Sequence, residues 1–233
     1  MNLKDKNKII KTYNELFDIY GKNPSSLGWG NKKGKQSIQF QTLTEIGEIN
    51  NSSILDIGCG FADLYSYLKF KKKKFDYYGI DLNPIFIENA KMLYPNIKLE
   101  VRDFQIKPFS KKFDWIFMSG VMSFVRNYNF IEKLIEDSFK ICKKGISINF
   151  ISDLADFKSK DLFYADPTKI FTIAKKFSKR ILIRHDYAPY QFVLYVYKKN
   201  LKSNNNVFRS YLEDNADKIN DKDWNPFLKN RKS

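Results

Sequence analysis

The chain of 233 residues is 43% hydrophobic and 16% aromatic, enough apolar material for one well-packed domain with, at most, a short appendage. Its two cysteines and single histidine exclude a disulfide framework, a thiolate metal site and any metalloenzyme built on a histidine cluster, so no metal is expected. The formal net charge of +15 suggests a polyanionic partner, but the basic residues are mostly lysines without clustered arginines, which makes nucleic acid a secondary expectation.

No apolar stretch approaches the roughly 20 residues needed to span a bilayer. The opening segment, MNLKDKNKII, carries charges where a signal peptide has its apolar core. We therefore expect a cytoplasmic protein without membrane insertion, either a monomer or a homodimer.

The predicted elements begin with a helix over residues 5–20, where apolar residues recur at spacings of three and four. A loop rich in glycine and serine follows, and then a second helix near 36–48. Five strands come next, at 53–58, 75–80, 97–101, 113–118 and 145–151. Helices are predicted among and after them, at 61–70, 84–93, 129–142 and 167–177.

The last two predicted strands, 180–187 and 191–198, are separated by only three residues. That gap is too short for a helical crossover, so the two strands should pair as an antiparallel hairpin. Five strand–helix units followed by a hairpin predict an α/β fold, with a doubly wound, mostly parallel, seven-stranded sheet whose last strand is antiparallel. The predicted organisation is a helical N-terminal arm or lid over 1–34, a core over 35–199 and a partly helical tail over 200–233.

Residues suited to ligand binding stand at the ends of three successive strands, at the edge where open α/β sheets bind ligands. The first strand runs into LDIGCG, where Gly58 and Gly60 allow a tight turn without a side chain between backbone and ligand. Asp81 ends the second strand and is placed to accept hydrogen bonds from both hydroxyls of a ribose. Asp103 and Phe104 follow the third strand, where they can meet an adenine amino group and ring face. Each signal alone is weak, but three in order predict a nucleoside-bearing cofactor.

The charges around the glycine loop discriminate between cofactors. A dinucleotide site usually carries GxGxxG facing a pyrophosphate, but Asp63 stands at the third glycine position and Asp56 precedes the loop. Two carboxylates would repel a diphosphate and suit a cofactor that bears a sulfonium and an α-amino group. This favours S-adenosylmethionine over NAD.

With these motifs the chain resembles the class I, Rossmann-like, S-adenosylmethionine-dependent methyltransferases over roughly residues 35–198. The resemblance implies that Asp56 and the loop of Gly58, Cys59 and Gly60 lie against the methionine part of the cofactor. It also implies that Asp81 binds the ribose hydroxyls.

The same resemblance extends to the adenine and to the floor of the site. Leu82 is implied to lie beside the adenine, and Asp103 and Phe104 to frame it. Ser119 and Gly120, after the fourth strand, are implied to line the floor beneath the sulfonium.

The segment RHDYAPY lies at the carboxyl end of the sixth predicted strand, on the ligand edge of the sheet. We expect His185 or Tyr187 to orient or deprotonate the methyl acceptor, because an imidazole titrates near neutral pH and suits a general base. The alternative is that these side chains satisfy backbone groups in the hairpin turn.

Further residues are candidates for the substrate site. Glycines flank Trp29 in the arm, which permits a hinge, and Lys35 and Gln36 follow it closely. Tyr164 lies after the fifth strand, and Tyr190 lies in the hairpin loop. Each has an alternative interpretation as ordinary packing.

The resemblance implies an enzyme of the EC 2.1.1 class that releases S-adenosylhomocysteine. Because the chain is close to the size of the catalytic core alone, we expect it to transfer the methyl group to an oxygen or nitrogen atom of a small or medium-sized metabolite. Methyltransferases acting on exocyclic base nitrogens often show an Asn/Asp-Pro-Pro-aromatic motif after the fourth strand, and this chain has MSGVMSF there. Two alternatives stay open: methylation of RNA or another polyanion through the basic surface, and a non-catalytic protein that binds S-adenosylmethionine.

Overall fold

The computed structural model describes residues 3–30, 34–125 and 127–199. The predicted partly helical tail over 200–233 lies outside the described residues. Within the described ranges, no helix is both long enough and apolar enough to cross a bilayer.

The order of elements follows the prediction closely. The described residues contain these α-helices: α1 (Leu3–Tyr20), α2 (Lys35–Thr44), α3 (Asp63–Phe70), α4 (Pro84–Leu93), α5 (Tyr128–Ile141) and α6 (Pro167–Ala174). They contain these strands: β1 (Ser52–Ile57), β2 (Phe75–Asp81), β3 (Lys98–Val101), β4 (Phe113–Met118), β5 (Cys142–Ile151), β6 (Ile181–Arg184) and β7 (Gln191–Tyr197).

The strands form one seven-stranded sheet in the order β3-β2-β1-β4-β5-β7-β6. β7 runs antiparallel to both β5 and β6, and the pairs from β3 to β5 are all parallel. The predicted fold class, with its antiparallel last strand, is therefore confirmed. The strand order reverses between β1 and β4, and at that point an open α/β sheet leaves a crevice at its carboxyl edge.

The core lies in two layers, because successive residues of each central strand point to opposite faces of the sheet. Ile116 of β4 packs in the layer that α5 and α6 cover, and its neighbour Phe117 packs in the layer of α2, α3 and α4. Both side chains are fully buried. The sheet is thus covered on both faces, and its carboxyl edge remains for ligands.

Three details differ from the prediction. Residues 102–112, between β3 and β4, contain no helix, so β3 is not part of a strand–helix unit. α2 ends at Thr44 instead of near 48, and the chain turns over residues 45–47; at Gly47 a Cβ would lie 2.6 Å from the Trp115 ring. β6 ends at Arg184 instead of at 187. Just after this end, the Arg184 guanidinium contacts the Asp186 carboxylate at 3.1 Å.

Candidate functional site

The glycine loop after β1 is held by the neighbouring strand. The backbone N–H groups of Gly58 and Cys59 donate to the carbonyl of Ile80 at 2.8 and 3.0 Å. Gly58 and Gly60 adopt φ values of 74° and 54°, in the left-handed region that favours glycine. A Cβ on Gly58 would lie 2.5 Å from the Val121 side chain. Glycine at position 58 is therefore required both by the backbone conformation and by the available space.

Asp81 at the end of β2 connects the glycine loop to the next helix. One carboxylate oxygen accepts from the Gly60 N–H at 2.9 Å, and the other accepts from the Asn83 N–H at 2.8 Å. Burial raises the pKa of Asp81, and these backbone hydrogen bonds oppose the rise. Asn83 in turn caps α4, since its side-chain oxygen accepts from the Ile85 N–H. The loop, the carboxylate and the helix start are thus fixed together.

Asp56 is a buried and only half-satisfied carboxylate, 2% exposed. Its Oδ2 accepts a 2.6 Å hydrogen bond from the Tyr77 hydroxyl, whereas its Oδ1 has no partner among the described residues. Burial raises the pKa of Asp56 to about 7, against the effect of Tyr77 and with smaller contributions from Asp81 and Asp63. An unpartnered buried carboxylate oxygen is unfavourable in the free protein and is suited to a cationic hydrogen-bond donor.

Asp103, after β3, forms an ion pair with Lys6 of α1. Its other oxygen accepts from the Gln105 N–H at 3.0 Å. The next residue, Phe104, is buried with 4% exposure. An acid and an aromatic ring therefore stand side by side at this strand end, as the sequence predicts.

One cavity of about 150 Å³ gathers these groups, and we call it the glycine-loop cavity. All ten sequence-predicted cofactor residues line it: Asp56, Gly58, Cys59, Gly60, Asp81, Leu82, Asp103, Phe104, Ser119 and Gly120. Gln36 lines it as well and donates to Asp63 at 2.8 Å. The structure therefore brings together residues from four strand ends that are up to 64 positions apart in the chain.

A lid over 1–34 is predicted from the sequence, but the residues of α1 that cover this cavity are not identified individually. Lys6, Ile9, Ile10 and Tyr13 of α1 all line it. The Tyr13 ring makes edge contacts with Phe86 and Phe124, at centroid distances of 5.8 and 5.5 Å. Helical periodicity predicts that α1 has an apolar face, but it does not predict which surface that face covers.

A second cavity of about 440 Å³, which we call the aromatic cavity, adjoins the first. The two share five lining residues: Tyr13, Leu27, Trp29, Gly120 and Phe124. The predicted substrate residues Trp29, Tyr164 and Tyr190 all line the aromatic cavity, as does Lys35, whose ammonium lies 5.4 Å from the Tyr190 ring centre. Its volume falls within the range of small-molecule sites.

Asn149 forms part of the floor between the cavities. Its side-chain oxygen accepts a 2.7 Å hydrogen bond from the Gly120 N–H, and the residue is 3% exposed. Because this bond uses the carboxamide oxygen, the NH₂ group is the remaining polar arm of Asn149. Asn149 lines the aromatic cavity and was not identified from the sequence.

His185 and Tyr187, the predicted catalytic residues, line neither cavity. The His185 ring packs 6.0 Å from Phe192, and its Nε2 is buried without a hydrogen-bond partner among the described residues. The Tyr187 hydroxyl donates to Gln39 of α2 at 3.3 Å. Both residues belong to the turn after β6, which ends at Arg184. Tyr190 of the same turn lines the aromatic cavity, whereas the structure does not bring His185 and Tyr187 to the site.

Comparison with known proteins adds the following. A family model described as a methyltransferase domain matches residues 54–145, from β1 into β5. The Mycobacterium tuberculosis protein named "Putative methyltransferase Rv1506c" is 29% identical over 156 residues, which cover 63% of this chain and 93% of that protein.

Two solved structures are similar in fold. Magnesium protoporphyrin IX methyltransferase from Synechocystis PCC 6803, with bound S-adenosylmethionine, gives a TM-score of 0.60 at 14% identity and covers 85% of this chain and 99% of that one. A TehB-like S-adenosylmethionine-dependent methyltransferase from Corynebacterium glutamicum gives 0.54 at 20% identity, covering 85% and 100%. At such identities the likeness shows the fold alone.

Proposed function

This chain carries a methyltransferase domain with the class I, Rossmann-like fold, and we propose that it transfers a methyl group from S-adenosylmethionine to an oxygen or nitrogen atom of a small or medium-sized metabolite. The observation that carries the proposal is the pair of adjoining cavities, one lined by carboxylates at strand ends and one by aromatic rings. The shared wall at Trp29 and Gly120 is where the methyl group would pass from one to the other.

The residues of the glycine-loop cavity fit this cofactor. The unpartnered oxygen of Asp56 suits the α-amino group, and the carboxylate of Asp81 suits the ribose hydroxyls. Gly58 leaves no room for a side chain where the backbone must approach the ligand. Bound S-adenosylmethionine would supply an electrophilic methyl group on a positively charged sulfur.

Methyl transfer depends mainly on how the protein positions the two reactants. Displacement at a sulfonium methyl group is in line and neutralises charge, so orientation of the acceptor and exclusion of water supply most of the acceleration. The aromatic cavity supports catalysis over binding alone, because a protein that only holds the cofactor has no need of a second cavity of about 440 Å³ beside it.

The basic surface favours one other candidate, methylation of RNA or another polyanion. The charges at the cavities argue against it. The described lining of the glycine-loop cavity carries two cations, Lys6 and Arg102, and four aspartates. The aromatic cavity carries one of each sign, Lys35 and Asp156. The positive charge of the chain is therefore not concentrated where a phosphate backbone would have to lie.

The test is methyl transfer from S-adenosylmethionine labelled in its methyl group to two fractions of a cell extract, a small-molecule filtrate and purified RNA. The proposal expects label in the filtrate and none in the RNA. Label in the RNA, with transfer that falls steeply as salt rises, would establish the rival instead. Tight cofactor binding with label in neither fraction would favour a non-catalytic protein.

A further inference from the structure

We infer that the acceptor is an aromatic molecule whose nucleophile is a nitrogen unprotonated at neutral pH, namely a ring nitrogen of a heteroaromatic or an arylamine. The inference rests on the proposed function and narrows its acceptor. It depends on three features of the described residues. The aromatic cavity has aromatic walls, the wall that it shares with the glycine-loop cavity has no general base, and the lining of the glycine-loop cavity carries net negative charge.

Aromatic side chains from separate parts of the chain line the aromatic cavity. Six aromatic residues line it: Tyr13, Trp29, Phe124, Phe157, Tyr164 and Tyr190. Its charged lining residues, among those described, are Lys35 and Asp156. Aromatic rings stack on flat, apolar ligands in offset or edge-to-face geometry, so the lining favours a planar aromatic acceptor over a sugar or a polyanion.

Among the described residues, the wall that the two cavities share offers no group that would take a proton from the acceptor. Of its five residues, Tyr13 alone is titratable. Burial raises the pKa of Tyr13 further above its usual value, and the charge of Asp81 adds to the rise, so its phenolate is not available as a base. Asp156 does not line the glycine-loop cavity, and His185 lines neither cavity. An alcohol, which needs a base to become nucleophilic, is therefore a poor acceptor.

The negative charge of the adjoining cavity discriminates among nucleophiles that need no base. The described lining of the glycine-loop cavity carries four aspartates, Asp56, Asp63, Asp81 and Asp103, against two cations, Lys6 and Arg102. The net negative field disfavours an anionic acceptor such as a carboxylate or thiolate, and it favours the protonated, unreactive form of an alkylamine. An aromatic nitrogen is basic enough to attack and yet stays unprotonated at neutral pH, so it meets both conditions.

The attack itself needs no base. The nitrogen lone pair forms the new N–C bond while the S–C bond breaks and its electron pair stays on sulfur, which becomes a neutral thioether. The positive charge thereby moves to the acceptor ring, and an arylamine then loses a proton to solvent. A cationic ring between aromatic walls gains cation–π stabilisation. The Asn149 NH₂ group is available to orient a carbonyl or other acceptor atom on the ring.

The test uses the full chain with methyl-labelled S-adenosylmethionine and four matched probes: isoquinoline, 1,2,3,4-tetrahydroisoquinoline, 2-naphthol and 2-naphthoate. These share a two-ring skeleton and differ in the nucleophile, which is an aromatic nitrogen, an alkylamine, a hydroxyl or a carboxylate. The expected result is N-methylisoquinolinium, detected by mass spectrometry, formed at least about tenfold faster than any other methylated product.

Two variants locate the acceptor. Tyr164→Leu and Tyr190→Leu each remove an aromatic wall of the aromatic cavity, and neither residue lines the glycine-loop cavity. They should lower kcat/KM for isoquinoline by about tenfold and leave the Kd for S-adenosylmethionine unchanged. Phe171→Leu is the control, because Phe171 is 44% exposed on α6 and lines neither cavity.

The outcomes separate the inference from the proposed function. Transfer to another probe in preference to isoquinoline, or isoquinoline turnover unaffected by both tyrosine variants, would overturn the inference. Cofactor binding without methylation of any probe would also overturn it, and label in the metabolite filtrate would then still uphold the proposed function. Failure to bind S-adenosylmethionine at all would remove the proposed function itself.

Discussion

The Tyr77 hydroxyl donates a 2.6 Å hydrogen bond to one carboxylate oxygen of Asp56, whose other oxygen has no partner among the described residues. Both side chains are buried, and burial raises the pKa of Asp56 to about 7. A half-satisfied carboxyl at the floor of a cavity is unfavourable for folding, and a ligand with a cationic amino group would satisfy it. Two predictions depend on this pair.

The first concerns the pH dependence of cofactor binding. A cationic amino group prefers ionised Asp56, so the affinity for S-adenosylmethionine should rise as the pH increases from about 5.5 to about 7, below the pKa of about 7.7–8.0 of an α-amino group. Binding lowers the pKa of Asp56 and therefore releases a proton. Calorimetry in two buffers of different ionisation enthalpy measures both effects. Affinity that is flat or falls with pH would contradict the assignment of Asp56.

The second concerns stability. The pKa of Asp56 in the folded protein lies above the value of about 3.9 expected when unfolded, so ionisation disfavours the folded state as the pH rises from about 4 to about 7. Asp56→Asn removes that charge and keeps an oxygen for Tyr77. The ligand-free variant should be more stable at pH 8 by about 1–3 kcal/mol. Urea unfolding should show a smaller gain at pH 5, and an equal gain at both pH values would contradict the linkage.

The third prediction concerns the glycine loop. Gly58→Ala places a Cβ 2.5 Å from Val121 on a backbone with φ of 74°. It should weaken cofactor binding at least about tenfold, equivalent to about 1.4 kcal/mol. Gly21→Ala is the matched control, because Gly21 also has positive φ but no atom lies within 4 Å of its added Cβ. The control should show only backbone strain of about 1 kcal/mol in unfolding. Equal binding by both variants would contradict the steric argument.

The fourth concerns the helix over the site. Residues of α1 line the glycine-loop cavity of about 150 Å³, so we expect α1 to shift when the cofactor enters. The Lys6–Asp103 ion pair and a 2.8 Å hydrogen bond from Asn83 to Asn14 hold α1 in place. Lys6→Met should therefore accelerate cofactor association severalfold.

Stopped-flow tryptophan fluorescence measures that rate, with Trp29 as a probe in the cavity wall. Lys8→Met is the control, since Lys8 is an exposed lysine of the same helix. Association rates that are the same in both variants would show that the ion pair does not hold α1 over the site.

The fifth concerns His185. Because His185 lines neither cavity, His185→Gln should keep kcat within a few-fold of wild type once an acceptor is found. Its ring packs against Phe192, so the expected effect is on stability. A loss of kcat of about a hundredfold or more, at unchanged stability, would restore the role expected from the sequence.

The site residues that the sequence predicts well are those fixed by strand ends. Gly58 comes directly after β1, and Asp81 is the last residue of β2. The carboxyl ends of parallel strands meet at one edge of the sheet. Their positions therefore depend on local pattern and fold class alone. The same logic extends to Asp103 and Gly120, which line the same cavity.

The residues that the sequence predicts poorly depend on tertiary packing. His185 and Tyr187 lie in the turn after β6 and line neither cavity, although Tyr190 of the same turn lines the aromatic cavity. Lys6 reaches Asp103, 97 positions away, only because α1 packs over the sheet edge. Asn149 lies inside a strand and carries no local signal, so its position beside Gly120 emerges only from the paired sheet.

We expect the strand-end carboxylates to bind S-adenosylmethionine, and calorimetric titration of wild type, Asp81→Asn and Asp76→Asn measures their contribution. Asp76 lies exposed on the same strand and does not line the glycine-loop cavity, which makes it the matched control. Micromolar binding by wild type and Asp76→Asn, weakened at least about tenfold in Asp81→Asn, is the predicted result. No binding by wild type, or equal affinity in all three proteins, would contradict the account.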